Sequence, residues 1–509
     1  MTSLFDKGPF APCPTPFNLA AHVLRRAEAC GDTPALILTG PDQDTVWTFA
    51  ELQARVLGIA GGLQAQGLRP GARILLRLGN TVEFPLAYLG AIAAGMVPVP
   101  TSAQLTTPEI TAICAGLAPD LIIAGAGVAL PDPLPCPVLT EAAFHALADH
   151  PPAAFDMGDP NRAAYIIYTS GTAGVPRAVI HAHRAVWARQ MMVRGWYDLR
   201  PEDRVFHAGA FNWTYTLGTG LLDPWAMGAT AIIPEAGQAS ADLPALLARH
   251  GATIFAAAPG VYRQMLAAGP LPQMPRLRHG LSAGEKLSPQ IRQRWEAATG
   301  TAIHEAFGMS ECSTFISGAP THPAPEATLG YPQPGRRLAV LDAEGVPVAF
   351  DTPGTIAVHH SDPGLMLGYM GAEADTRARF TRDGQWFLTG DQGSMAADHA
   401  ITYLGRADDM MNAGGYRVSP IEVETALRAH PCLTEVAVVE VLLKPGVTGI
   451  AAFYTGPAEV PQDELAAFAE SRLARYKRPK LYRKLDALPH GANGKILRRA
   501  LRDAYEGPQ

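Results

Sequence analysis

Tyr168-Thr169-Ser170-Gly171-Thr172-Ala173-Gly174-Val175-Pro176-Arg177 follows directly on the β-rich run Ala164 to Tyr168. A strand that runs into glycines and hydroxyls and closes on a cation has the make-up of an anion-binding loop. Glycines let backbone N–H groups turn toward an anion, hydroxyls add donors, and the cation, here Arg177, neutralises charge. The same composition also makes an ordinary surface turn, so the stretch is weakly specific by itself. It is not a Walker A loop. That motif ends in Gly-Lys-Ser/Thr, whereas Gly174 is followed by Val175-Pro176, which disfavours a P-loop kinase or GTPase.

Outward from this loop, helical patterns alternate with short apolar runs at Ala72 to Leu78, Leu121 to Ala124, Ala164 to Tyr168, Ala229 to Pro234 and Thr253 to Ala257. That rhythm predicts α/β layers. A helix is predicted from Phe49 to Gln66, stopped by Gly67, with Arg69-Pro70-Gly71 turning the chain toward a strand. Leu86 to Val99 is the most apolar stretch. It contains Gly90 and Gly95 and falls short of the ~20 residues a membrane-spanning helix needs, so it reads as a buried helix leading into a strand.

A chain of 509 residues exceeds what one hydrophobic core usually organises, so two or more domains are expected. The formal net charge of -6 is small for this length and its charges are interspersed, which gives no electrostatic footprint for nucleic acid or anionic lipid. Small-molecule partners are expected instead. The six cysteines are scattered without Cys-x-x-Cys pairs, arguing against a disulfide framework or structural zinc and for a reducing cytoplasm. The amino terminus lacks the pattern of a signal peptide.

Further segments give the loop its meaning. Ser282-Ala283-Gly284-Glu285-Lys286 offers exposed backbone to a flat base, and Glu305-Ala306-Phe307-Gly308-Met309-Ser310-Glu311 joins an aromatic, a hydroxyl and a carboxylate. Thr389-Gly390-Asp391 places an acid just past the strand-like Trp386 to Leu388. Gly405-Arg406-Ala407-Asp408-Asp409 leads into Gly414-Gly415-Tyr416-Arg417-Val418-Ser419-Pro420, and Asn493-Gly494-Lys495 stands near the carboxyl end. As an ordered set, from about Pro16 to Leu501, these resemble the acyl-adenylate-forming superfamily of acyl-CoA synthetases, peptide-synthetase adenylation domains and beetle luciferases.

The resemblance implies a large, multi-subdomain α/β amino-terminal domain over residues 1–405 and a small mobile α+β lid over residues 406–509. It implies that Thr169, Ser170, Gly171, Thr172, Gly174 and Arg177 hold the ATP phosphates, with Arg177 replacing the usual lysine. Gly284, Glu285, Phe307 and Gly308 line the adenosine. Ser310 stands beside the α-phosphate, Glu311 helps hold Mg²⁺, and Asp391 with Arg406 takes the ribose. Lys495 becomes the cation that lets an anionic acid approach an anionic phosphate. Asp408 matches the hinge, and Gly414, Gly415 and Tyr416 the pantetheine tunnel.

The acyl wall is expected from Phe211, Asn212, Trp213, Ala283, Ala306, Phe307, Cys312 and Phe315. Gly308 stands where acetate-specific relatives carry tryptophan, which implies a deeper pocket. Together these imply an ATP-dependent carboxylic acid:CoA ligase acting on a medium-sized apolar aliphatic or aromatic acid, with ATP and CoA as co-substrates, soluble, and allowing a homodimer. The alternative is a stand-alone adenylating enzyme that loads a carrier protein. The segment Glu440 to Ile450 is shorter than the family's usual loop, so the lid is trimmed at a place that bears on the thiol acceptor.

Overall fold

The predicted helix runs Phe49–Ala65, and its ends follow from local chemistry. Thr48 and Glu51 form a reciprocal capping box at its start, and Gly67 takes a left-handed φ of 81° just beyond its end. The face carrying Leu52, Val56, Ile59 and Leu63 is buried. Against it lies helix Glu83–Ala93, every residue of which is buried, as its nearly all-apolar sequence requires. Strand Val97–Pro100 follows, so Leu86 to Val99 is a helix leading into a strand. This is a computed structural model, and it describes residues 2–40, 43–169, 177–235, 237–407, 409, 411–413, 416–444, 447–473, 475–491 and 496–505.

The chain divides into two units. The larger comprises Phe5–Arg337 and Val358–Phe387. Its main sheet has nine strands, in the order Tyr331–Pro332, Ser313–Ser317, Ile303–Met309, His279–Ala283, Ile254–Ala256, Arg204–His207, Thr230–Pro234, Pro34–Thr39 and Thr45–Thr48. The six strands from Ile303–Met309 to Pro34–Thr39 pair in parallel, and antiparallel strands finish both sides. The parallel strands are largely apolar, as strands covered on both faces must be. A four-stranded parallel sheet holds Arg73–Arg77 and Leu121–Ala124, and a three-stranded antiparallel sheet holds Ala163–Thr169, Arg177–Ala182 and Gly368–Tyr369.

The smaller unit comprises Met1–Leu4, Leu338–Ala357 and Leu388–Gln509. Its carboxy-terminal part packs helices Pro420–Arg428 and Gln462–Glu470 with the sheet Glu435–Lys444, Val447–Thr455 and Leu481–Lys484, around Val423, Leu427, Val436, Ile450 and Leu465. Glu435–Lys444 and Val447–Thr455 pair antiparallel from Glu435 opposite Thr455 to Lys444 opposite Val447, with a register shift between Leu442 and Lys444. Within this unit the strands Leu338–Leu341 and Ile401–Arg406 group with the chain beyond 406. Among the described residues no helix is long and apolar enough to cross a membrane.

Candidate active site

Strands Ala163–Thr169 and Arg177–Ala182, which flank the expected phosphate loop in sequence, pair antiparallel. Thr169 ends one strand, Arg177 begins the next, and the two are directly opposed in register. The side chain of Arg177 lies 3.0 Å from Asp375, and its guanidinium stands over the ring of Tyr369, 5.1 Å from the centroid. Tyr369 belongs to the same sheet, paired with Val179. Its hydroxyl donates to Glu311 Oε1 at 2.7 Å.

Ser310 and Glu311 occupy the turn between strands Ile303–Met309 and Ser313–Ser317. Three side chains hold this turn. Tyr369 takes Glu311, and the Nε2–H of His181 donates to the Ser310 carbonyl at 2.7 Å. Burial holds the His181 pKa down to about 4, so the ring is neutral. Arg189 Nη1 donates to the hydroxyl of Ser313 at 2.7 Å, and Ser313 carries a left-handed φ of 63°.

Arg189 is itself buried. Its guanidinium donates to both oxygens of Asp223, at 2.7 and 2.6 Å, and the Tyr197 hydroxyl donates to Asp223 at 2.7 Å. A buried charge survives only when paired and hydrogen-bonded in this way. The π-helical segments Val193–Tyr197 and Thr216–Leu222 flank the network, and such widened turns often accompany functional sites. A Cβ at Gly218 would come within 2.2 Å of Arg189 Nη2, so any larger residue there must displace the guanidinium from Asp223.

Gly284 and Glu285, expected at the adenosine, follow strand His279–Ala283. The buried Glu305 accepts from Leu287 N–H at 3.1 Å, which ties that loop to the neighbouring strand. Burial pushes the Glu305 carboxyl up to about 7. Gly308 sits at a bulge in the hairpin, and a Cβ there would meet Ser313 O at 2.2 Å and Thr314 Cα at 2.4 Å. The close approach of the two strands therefore demands glycine at 308 as much as any need for pocket depth.

In the smaller unit Asp391 and Arg406 are directly opposed on neighbouring strands, with a side-chain separation of 3.5 Å. The Tyr403 hydroxyl also donates to Asp391, at 3.2 Å. The sequence places Asp391 past a strand, and the structure corrects this. Trp386–Met395 is one continuous strand with alternating burial, so Asp391 is buried mid-strand and not beyond the strand's end. Arg498, three residues beyond Lys495, donates to both oxygens of the buried Glu424 at 2.8 Å.

The expected acyl wall divides. Ala283 and Ala306 are directly paired and share an apolar cluster with Met192, Trp196 and Tyr215. Phe307 and Phe315 meet edge to face at 5.5 Å. Phe211 lies elsewhere: its ring packs on Phe84 at 5.5 Å in the core around the Phe49–Ala65 helix. Cys312 is also placed away from that cluster, its sulfur 3.8 Å from both Asp362 and Arg336, a fully buried ion pair. Asn212 and Trp213 are half-buried. Ser170, Gly171, Thr172, Gly174, Asp408, Gly414, Gly415 and Lys495 lie outside the described residues, and of Tyr416 only the backbone is described. His181, Arg189, Tyr369 and Tyr403 carry no local signal in the sequence, since each acts through a residue distant in the chain or on another strand.

A family model described as AMP-binding enzyme matches residues 23–370, and one described as AMP-binding enzyme C-terminal domain matches residues 422–495. The chain belongs to the AMP-binding enzyme family. This AMP-binding enzyme is 30% identical to the 3-hydroxybenzoate–CoA/4-hydroxybenzoate–CoA ligase of Thauera aromatica, over 96% of this chain and 97% of that protein. Among solved structures it is similar to a benzoate CoA ligase from Burkholderia xenovorans LB400, with a TM-score of 0.84, 30% identity, and coverage of 96% of this chain and 100% of that one. It is also similar to an anthranilate CoA ligase in complex with anthranoyl-AMP, with a TM-score of 0.86, 26% identity, and coverage of 97% and 98%. The likeness spans both units and agrees with the α/β architecture expected from the sequence.

Proposed function

We propose that the chain is an AMP-forming ligase that joins an aromatic carboxylic acid to CoA through an acyl-adenylate. The observation that carries this reading is the meeting of Arg177, Tyr369 and Glu311, which brings the cation after the phosphate loop and the carboxylate of the Ser310–Glu311 turn to one phenol. Relatives named as hydroxybenzoate, benzoate and anthranilate CoA ligases favour an aromatic acid over an aliphatic one and CoA over a carrier protein.

In this reading a carboxylate oxygen of the acid attacks the α-phosphorus of ATP, the bond to the β-phosphate bridging oxygen breaks, and pyrophosphate leaves. Arg177 and the loop after Thr169 hold the departing phosphates, and Ser310 donates toward the α-phosphate. Asp391 accepts from the ribose hydroxyls, oriented by Arg406 and Tyr403. Lys495 stands between acid and α-phosphate and stabilises the charge that develops there. In the second half the CoA thiol, giving up its proton to solvent, attacks the acyl carbon and AMP leaves with the bonding electrons. Residues 406–509 act as the lid that alternates between the halves about Asp408, with Gly414, Gly415 and Tyr416 along the pantetheine path.

The donors around Glu311 suit Mg²⁺. One carboxylate oxygen is anchored by Tyr369, and the Ser310 hydroxyl is adjacent, so the set is all oxygen, as a hard cation that binds one or two carboxylates plus phosphates requires. When bound, the ion would neutralise phosphate charge. The reading is tested by incubating the protein with ATP, Mg²⁺, CoA and a panel of benzoate, hydroxybenzoates, anthranilate and medium-chain acids, beside Lys495→Ala. AMP and an aroyl-CoA are expected from the wild type, with turnover lost in the variant. ADP as product, or preference for aliphatic acids, would overturn it.

A further inference from the structure

Arg177 stands where the phosphate loop usually ends in lysine, and its surroundings fit a guanidinium. Asp375 Oδ2 lies 3.0 Å from Nη2, and the ring of Tyr369 lies beneath the planar group. The same phenol reaches Glu311 through its hydroxyl. Four side chains from three separate stretches of sequence thus form one line of contact: Asp375, Arg177, Tyr369 and Glu311.

Local structure fixes the line. Tyr369 pairs with Val179 on Arg177's own strand. The Tyr369 N–H donates to Thr376 Oγ1 at 2.9 Å, which ties it to the short helix Glu373–Arg377 that carries Asp375. Burial differs along the line. Tyr369 and Glu311 are buried, whereas the side chains of Arg177 and Asp375 are 37% and 52% exposed.

A lysine ammonium is a point charge that rotates to meet whatever anion approaches. A guanidinium is a planar fork, always charged, that binds phosphate in pairs of hydrogen bonds and would hold pyrophosphate more firmly. A carboxylate on one arm of that fork occupies donors that phosphate oxygens would use. Because the pair is half exposed it is weak, so it tempers binding without abolishing it.

We propose that Asp375 is a built-in competitor for the leaving pyrophosphate, pairing with Arg177 to loosen its grip, and that Tyr369 is the positioning residue that sets Arg177 and Glu311 relative to each other. The inference rests on the ligase reading above, and it assigns the arginine a cost in product release that Asp375 offsets. Asp375→Asn removes the competing charge at nearly constant volume. Tyr369→Phe keeps the ring under Arg177 and removes the hydroxyl from Glu311.

The test is calorimetric titration of the full chain, without acid or CoA, with pyrophosphate and with ATP in the presence of Mg²⁺, alongside steady-state inhibition by pyrophosphate. Asp375→Asn is expected to tighten pyrophosphate about threefold. In an Arg177→Gln background the same substitution is expected to leave its affinity nearly unchanged. Tyr369→Phe is expected to weaken ATP binding about threefold and to preserve the effect of Asp375→Asn. Unchanged or weaker pyrophosphate binding in Asp375→Asn, equal tightening in the Arg177→Gln background, or unchanged ATP binding in Tyr369→Phe would each overturn the inference. A wild type that binds neither pyrophosphate nor ATP would overturn the nucleotide site itself, a different outcome from a wild type that binds both.

Discussion

The Ser310–Glu311 turn and the paired residues Ala283 and Ala306 belong to one nine-stranded sheet and are built on opposite principles. The turn is held from outside by His181, Arg189 and Tyr369, each distant in sequence, through hydrogen bonds of 2.7 Å. At Ala283 and Ala306, expected in the acyl wall, two small side chains stand in register on adjacent strands. The turn therefore depends on a fixed polar scaffold, which admits few residue types. In the proposed ligase, acid selection would rest on the small size of Ala283 and Ala306, which a larger apolar residue changes.

The largest test of this contrast is Arg189→Gln. It leaves the Asp223 carboxylate buried without its cation, so stability is expected to fall by about 3–5 kcal/mol in urea unfolding. Replacing both partners with apolar residues, Arg189→Met with Asp223→Leu, is expected to recover most of that loss. If the single variant is as stable as wild type, the turn is not held by this network.

Next in size is Ala306→Leu, which fills the wall. The KM for an aromatic acid is expected to rise about tenfold with the KM for ATP unchanged, the scale of a few methylenes in a pocket. Phe211→Leu sharpens the comparison. Phe211 packs on Phe84, so this change is expected to lower stability by about 1–3 kcal/mol and leave the acid KM alone. Equal effects of the two variants on the acid KM would return Phe211 to the pocket.

A separate expected effect is on pH. Burial lowers His181, His279 and His304 to about 4 and His22, His183 and His207 to about 3. Unfolded, these rings take up protons near 6.5 and the native state does not, so stability is full above that pH and lost as pH falls toward 4. Glu305 acts with the opposite sign. Its folded pKa of about 7 lies above the unfolded value of 4.5, so it costs stability as pH rises through that window. Six rings outweigh one carboxyl, so melting temperatures from about pH 7.5 to about pH 5 are expected to fall, with His181→Asn flattening part of the slope. A rise in melting temperature over that range would contradict the neutral imidazole at the Ser310 carbonyl.

Much of this is legible in the amino-acid sequence alone. Thr48 with Glu51 and Gly67 bound the Phe49–Ala65 helix through contacts between near neighbours, and the apolar runs form strands within a residue or two of their expected ends. The glycine-rich stretch before Arg177 and the Ser310–Glu311 segment stand out by residue type, and Arg177 and Glu311 both meet Tyr369. Asp391 is misplaced by its local sequence because Thr-Gly reads as a turn, whereas tertiary pairing with Ile401–Arg406 carries the strand through it. Phe211 and Cys312 read as part of the wall because an aromatic or small apolar residue looks the same in a pocket and in a core. Tyr369 gives no sign of its role in sequence because its importance lies in what touches it from positions 177 and 311.

The most direct test of the ligase account withholds the thiol. With ATP, Mg²⁺ and an aromatic acid but no CoA, mass spectrometry of the quenched protein is expected to find an aroyl-adenylate in stoichiometric amount with the chain, consumed to AMP and aroyl-CoA when CoA is added. No adenylate from any aromatic acid, or formation of ADP, would contradict the account.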